Sequence, residues 1–354
     1  MPLNVGLVGF GFAGKTFHAP VIRAVEGLRL TTVVQRTGAP DPRYPDVEFV
    51  GSVDELLTRA IDLVVIATPN PSHHPIARQC LLAGRHLVVD KPFTTTVAET
   101  QDLIQLGAEK RRVLSVYQNR RYVGDFVTLQ QLLSDGVLGR VTTFESHFDR
   151  FRPDLKPGAW RERPQPGSGL WLDLGPHLLD QALFLFGIPQ AISADIRVER
   201  DDAAVDDAFD VTLHYPQMRA LLRASMLASS PGPTFAVHGT KGSFIKYGLD
   251  PQEEALKAGR TPDESTWGVE PSEMHGILTT PQGTRTIATI PSSFRLFYEN
   301  IRDAILGKAA LAVTPEQALH VMRGLELAVV SSQRRRVQRW TAPSRDVVGQ
   351  PPSC

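Results

Sequence analysis

The chain has 354 residues, 42% apolar and 21% charged, which suits about two domains of ~150 residues, each with its own core. Thirty-eight basic residues balance 38 acidic ones, so no net charge draws it to nucleic acid or to an anionic membrane surface. No apolar run approaches the roughly 20 residues of a membrane span. Its two cysteines, Cys80 and Cys354, make neither a disulfide framework nor a metal cluster. A first strand that begins within five residues leaves no basic leader before it, so the expectation is a soluble cytoplasmic protein.

Val5-Gly6-Leu7-Val8 predicts a buried strand, and Gly9-Phe10-Gly11-Phe12-Ala13-Gly14 follows it into a helix. A Gly-x-Gly-x-x-Gly in that setting suits a dinucleotide's pyrophosphate: the first glycine for the tight turn, the second for close backbone approach, the third for helix-on-strand packing. Pro20 is expected to end or kink this helix after about two turns. Further short strands are predicted at Leu30–Val34, Glu48–Val50, Leu63–Ala67, His86–Val89 and Val113–Val116, with helices at Ser52–Thr58 and Thr96–Lys110. Thr96 and Glu99 have the spacing of a capping box. Strands alternating with helices predict a doubly wound parallel sheet over residues 1–121.

After Arg121 the pattern changes. A helix at Asp125–Ser134 is followed by longer, alternating strands at Val141–Phe151, Ala191–Val198, Ala208–His214, Ala220–Met226, Phe235–His238 and Arg285–Ile290. These predict an α+β domain with an antiparallel sheet over residues 122–354. Asp250–Ser272, rich in Pro, Glu, Gly and Thr, reads as a surface loop. Ser292 or Ser293 caps a helix over Phe294–Leu306, and Thr314-Pro315 starts another. Arg334-Arg335-Arg336 reads as a solvated helix end.

The second strand runs into Gln35-Arg36-Thr37, where an NAD site usually carries an acidic residue, about 20 residues past the glycines. Arg36 and Thr37 instead suit a 2′-phosphate, so NADP is the expected cofactor, with NAD the lesser option. Beyond the next strands lie Thr68-Pro69-Asn70 with His73 and His74, then Asp90-Lys91-Pro92. Ligands bind past the carboxyl ends of such strands, so these residues face the cofactor. The histidines lack partners at metal spacing. Lys91 is placed to polarise a hydroxyl or carbonyl oxygen during hydride transfer, the plainer reading being a snorkelling surface lysine. Asp173 and His177 stand four apart and share a helix face; Asp173 would orient the imidazole and raise its pKa, as a general base requires. Pro176 places both in the helix's first turn.

Four signposts in order, Gly9-x-Gly11-x-x-Gly14, Thr68-Pro69-Asn70-x-x-His73, Lys91-Pro92 and Asp173-x-x-x-His177, resemble those of the glucose–fructose oxidoreductase / inositol dehydrogenase / rhizopine-catabolism (Gfo/Idh/MocA) family. Gly14-Lys15-Thr16-Phe17-His18-Ala19-Pro20 and Gln118-Asn119-Arg120-Arg121 look most like its NADP-dependent scyllo-inositol dehydrogenase branch. The resemblance implies an α/β Rossmann domain followed by a domain with a large open antiparallel sheet, whose outer face forms homodimers or homotetramers. It implies catalytic roles for Lys91, Asp173 and His177 on a polyol, inositol or sugar substrate. It also implies cofactor contacts from Gly9 through Gly14, Arg36, Thr37, Thr68, Pro69, Asn70, His73, Asp90, Lys91 and Asn119. Asp90 departs from the family's commoner glutamate and has a shorter reach. Tyr122, Arg150, Trp160 and Arg161, with Arg121 and His147, are candidates for substrate contact. The same fold also serves non-catalytic cofactor or sugar sensors, and a glycosidase-like reaction with a recycled cofactor; an intact Lys91, Asp173 and His177 set argues against a sensor.

Overall fold

The computed structural model describes residues 2–156 and 158–341, so Cys354 lies outside the described residues. Strands β1 (Leu3–Val8), β2 (Leu28–Val34), β3 (Glu48–Val50), β4 (Leu63–Ile66), β5 (His86–Val89) and β6 (Leu114–Val116) form a six-stranded sheet in the order β3-β2-β1-β4-β5-β6. Every pairing in it is parallel. The strand order reverses between β1 and β4, which opens a crevice at their carboxyl ends. Val64, Val65 and Ile66 are fully buried because helices cover both faces.

Helices α1 (Ala19–Arg23), α2 (Val53–Leu57), α3 (His73–Leu82) and α4 (Val97–Glu109) surround this sheet. Of the two outcomes expected at Pro20, an end or a kink, the helix does not end there; its hydrogen-bond register changes instead. The helix begins with a wide π-type turn at Gly14–His18 and becomes α-helical at Ala19. The missing N–H of Pro20 therefore falls where the hydrogen-bond ladder is already changing register. Thr96 does cap α4: its hydroxyl accepts from Glu99 N at 3.2 Å, and the Glu99 carboxylate accepts from Thr96 N at 3.2 Å. Thr96→Ala is expected to lower stability by about 1 kcal/mol, read as a lower urea midpoint at unchanged slope. An unshifted midpoint would show that the cap contributes nothing.

The second half contains α5 (Gly124–Ser134), β7 (Val141–His147), α6 (Leu170–Phe186), β8 (Ala191–Arg197), β9 (Ala208–His214), β10 (Arg219–Ser225), β11 (Phe235–Gly239) and β12 (Ser243–Lys246). It continues with α7 (Gln252–Lys257), β13 (Gly276–Thr280), β14 (Gly283–Ile287), α8 (Arg295–Ile305), α9 (Pro315–Arg334) and β15 (Gln338–Arg339). The nine strands run in the order β14-β13-β12-β11-β7-β10-β9-β8-β15. The sheet is mostly antiparallel, with one correction: β7 and β10 pair parallel. The chain leaves β7 through α6 and returns by β8 and β9, the kind of long crossover a parallel pair needs.

Three strands escape the sequence reading. β12 ends in Lys246, whose ammonium is buried against Glu270 at 2.8 Å, so a charge disguised a core strand. β13 begins with a glycine and leaves Ile277 exposed, and β15 is two residues long. Nor is 250–272 a surface loop. Gln252 is fully buried: it donates to Tyr122 O at 3.0 Å and accepts from Trp267 Nε1 at 2.9 Å and Phe294 N at 2.8 Å. Here polar residues are internal partners rather than solvent-facing ones.

Helix α9 joins the two halves. Trp171 Nε1 on α6 donates to Leu325 O at 3.1 Å, and Glu326 accepts from Val97 N at 2.8 Å. Arg121 belongs to the same seam and not to a substrate cleft. It is buried, makes two 2.7 Å bonds to Asp180 and also donates to Ala312 O and Gln317. Among the described residues no helix is long and apolar enough to cross a membrane.

Candidate active site

The crevice begins at the glycines, and each meets a different demand. Gly9 has φ +98°, and a Cβ there would lie 2.7 Å from Ala67 O. A Cβ on Gly14 would collide with Gly9 O, whereas one on Gly11 would have nothing within 4 Å. The turn, the helix packing and the open approach for a ligand are thus assigned to separate residues, and the cradle fits a pyrophosphate. Phe10 turns its ring inward, edge-on to Tyr44 and Phe49, so only its backbone is available to a ligand; the Phe12 ring is exposed. At the end of β2 both Arg36 and Thr37 are exposed, in a loop shaped by Gln35, which donates to Thr37 O at 2.7 Å. The next carboxylates, Asp41 and Asp46, are paired with Arg43 and Arg23.

After β4, Thr68 accepts from Ser72 Oγ at 2.7 Å, and Asn70, buried beside Pro69, donates to Gly167 O at 2.9 Å across the two halves. His73 is fully buried, with Nδ1 at 3.0 Å from Pro92 O and Nε2 at 2.8 Å from Thr68 O. Burial holds its pKa below the usual imidazole range although Asp90 and the carbonyls oppose this. His73 therefore braces the loops that follow β4 and β5 instead of reaching into the crevice. Asn119 is buried in the turn after β6, on the same carboxyl edge. Asp90 accepts from Lys91 N at 2.8 Å and lies 3.7 Å from His18 Nε2, whose Nδ1 is 2.6 Å from Tyr298 Oη. Burial alone would raise the Asp90 pKa; His18 and Lys91 together hold it below the usual carboxylate value.

The Lys91 ammonium crosses to the second half. It donates to Asp173 O and, at 3.1 Å, to Asp173 Oδ1. Arg161 Nε lies 3.2 Å and Arg150 Nη1 3.8 Å from the same carboxylate. Burial works against ionisation, yet the three cations hold Asp173 far below the ordinary carboxylate range. Asp173 sits in the first turn of α6, but Pro176 and His177 are in the second, so Pro176 is an interior proline. Among the described residues His177 Nδ1 has no hydrogen-bond partner, and Asp173 is engaged by cations rather than by the imidazole. Asp173 favours the protonated ring, as expected, but the expectation of a His177 pKa near or above the ordinary value is corrected. Burial, then Lys91, Arg120 and Arg150, drive it well below the usual imidazole value, with Asp173 only partly offsetting them. These surroundings, with the ring only 7% exposed, favour the neutral imidazole.

His177 shares a pocket with Arg120, Asp125, His147 and Gln181. Arg120 pairs with Glu253 and lies 5.0 Å over the Phe148 ring; Asp125 is pushed up to about 7 by burial and by Asp250. Sequence reasoning missed Arg120, Asp125 and His18. Arg120 directly follows Asn119 past β6, which was the available signal. His147 is tied to Asp149 at 3.3 Å. Tyr122 packs edge-on to Phe297, and Arg161 stacks 4.7 Å over Trp160. Lys91, Arg150, Arg161, Asp173 and His177 thus come together, with Trp160 attached through Arg161. Among the described residues no group of three or more His, Cys, Asp or Glu is placed to hold a metal.

Two family models match the chain: "Oxidoreductase family, NAD-binding Rossmann fold" over residues 3–118, and "Oxidoreductase family, C-terminal alpha/beta domain" over residues 130–339. YdgJ of Escherichia coli K12, an uncharacterized oxidoreductase, is 44% identical over 94% of this chain and 97% of its own. The NADP-dependent scyllo-inositol 2-dehydrogenase IolW of Bacillus subtilis is 37% identical over 94% of this chain and 95% of its own. The solved structure of yvaA from Bacillus subtilis superposes with a TM-score of 0.92 at 36% identity, covering 96% of this chain and 98% of that one.

Proposed function

The chain belongs to the Gfo/Idh/MocA oxidoreductase family, and within it we propose an NADP(H)-dependent dehydrogenase that interconverts a secondary hydroxyl and a ketone on a polyol, inositol or sugar. The observation that carries this reading is the 3.1 Å contact of Lys91 with Asp173, which joins the parallel sheet's carboxyl edge to α6 with His177 one turn away. Residues 1–121 bind the cofactor, through the backbone of Gly9 to Gly14 and through Arg36, Thr37, Thr68, Pro69, Asn70, Asp90 and Asn119. Residues 122–354 bind substrate. When bound, the nicotinamide takes or supplies the hydride. The neutral His177 ring takes the hydroxyl proton, and Lys91 donates a hydrogen bond to the substrate oxygen as negative charge develops there. Asp173 is the anchor for that ammonium. Tyr122, Arg150, Trp160 and Arg161 line the substrate's side of the cleft. The outer face of the nine-stranded sheet pairs with a second copy, giving a dimer or tetramer in the cytoplasm.

Arg36 tests the cofactor part of the reading. Arg36→Asp removes a phosphate partner and supplies a ribose hydroxyl acceptor, so the NADP-over-NAD ratio of kcat/KM should fall by a factor equivalent to about 2 kcal/mol. The check is kcat/KM for both cofactors in the wild type and the variant. A wild type indifferent to the 2′-phosphate would defeat the NADP assignment.

A further inference from the structure

Among the described residues, the cations gathered on Asp173 outnumber the carboxylates that pair with them. Lys91, Arg150 and Arg161 all share one carboxylate, Asp173. Arg120 pairs with Glu253, and Lys257 pairs with Glu253 and Glu254, both at 2.8 Å, so those two cations are balanced and the surplus lies with Lys91, Arg150 and Arg161. Of the other acids near the site, Asp90 is engaged behind Lys91 by His18 and by the Lys91 amide. Asp125, at about 7, is only partly charged at neutral pH. Two guanidinium groups stand out. Arg150 stacks 5.0 Å over Phe148 and Arg161 4.7 Å over Trp160. Their side chains are 22% and 46% exposed, and among the described residues Asp173 is the acidic partner of each, reached at 3.8 Å and 3.2 Å. A guanidinium has five N–H donors in a rigid fork that matches a carboxylate or phosphate. Stacking on a ring fixes the plane of that fork without using its donors. Burial foremost, then the neighbouring Arg152 and Arg120, depress the Arg150 pKa, although Asp173 and Glu253 oppose them.

We infer that Arg150 and Arg161 form a clamp for an anionic group carried by the substrate, so that the preferred substrate is a polyol or sugar bearing a carboxylate or a phosphate. This rests on the dehydrogenase reading and adds a substrate class to it. The anion supplies the counter-charge that Asp173 alone does not, and bidentate pairing to a stacked arginine sets the ring's orientation against Lys91 and His177.

The experiment assays the purified full-length protein with NADP+ or NADPH against matched sets of neutral sugars and polyols, the corresponding uronates and aldonates, and the corresponding sugar and inositol phosphates. The best anionic member should exceed the best neutral one by ~10-fold or more in kcat/KM, mostly through KM. That excess should shrink as salt rises, because screening weakens it. Arg150→Gln and Arg161→Gln should each reduce the anionic-to-neutral ratio by ~10-fold, and Arg150→Lys should retain part of it. The carboxylate and phosphate sets identify which anion is used. A neutral best substrate, with a ratio that neither salt nor Arg161→Gln changes, overturns the clamp and leaves the dehydrogenase reading standing. If Arg150→Gln does not fold, the wild-type ratio, its salt dependence and Arg161→Gln still decide. Absence of turnover with every member counts against the reaction itself.

Discussion

Lys91→Met lowers kcat about 100- to 1,000-fold while NADPH still binds, because one positioned donor to a developing oxyanion is lost and the glycine cradle is untouched. The ammonium is held at two points on one residue, Asp173 O and Asp173 Oδ1, so it is fixed before substrate arrives and needs no reorganisation during the reaction. Methionine keeps the length and apolar stem and removes only the charge and donors. A second consequence distinguishes this role from simple packing. Lys91 is, after burial, the foremost influence lowering the His177 pKa, so its removal should move the acid limb of the residual activity to higher pH. Steady-state kinetics across pH and NADPH binding followed by nicotinamide fluorescence check both. Near-normal turnover, or an acid limb that stays in place, would remove Lys91 from the mechanism.

His177→Ala lowers kcat/KM by about 100- to 10,000-fold in both directions, the range spanned by a single acid–base group. The wild-type pH profile follows from the ring's surroundings. Alcohol oxidation needs the neutral ring, and its pKa lies well below the ordinary imidazole value, so oxidation should stay high from neutral pH downward and fall only well below pH ~6.5. Ketone reduction needs the protonated ring, so it should decline as pH rises through that same low pKa. Asp173→Asn removes a nearby negative charge that favours the protonated ring, which should push the acid limb of oxidation lower still. The profile is kcat/KM against pH in both directions for the wild type and both variants. An acid limb above pH ~6.5, or an Asp173→Asn limb that moves upward, would show that another group carries the proton.

Local features of the first half were legible because their physics is local. Glycines with three separate steric duties, a strand buried on both faces and a Thr96–Glu99 cap each depend on a few neighbouring residues. Lys91, Asp173 and His177 were legible as candidates for the same reason: each stands where a strand or helix end meets the crevice. What could not be read is what depends on partners far along the chain. Gln252 looks like a loop residue until Tyr122, Trp267 and Phe294 are seen to surround it. Lys246 looks like a surface residue until Glu270 buries it. The sign of the His177 shift was misread because Asp173 is visible four residues away, whereas Lys91, Arg120 and Arg150, which outweigh it, come from other elements.

The proposed activity is hydride transfer between NADP(H) and a carbinol carbon, as opposed to the holding of cofactor by a sensor. The direct measurement incubates the purified protein with NADPH deuterated at the transferable position and a panel of keto-sugars and keto-polyols, then follows NADPH absorbance and the mass of the product. Stoichiometric loss of NADPH, one deuterium at the new carbinol carbon, and loss of both signals in His177→Ala are expected. Saturable NADPH binding with no deuterium transferred to any ketone would contradict that activity.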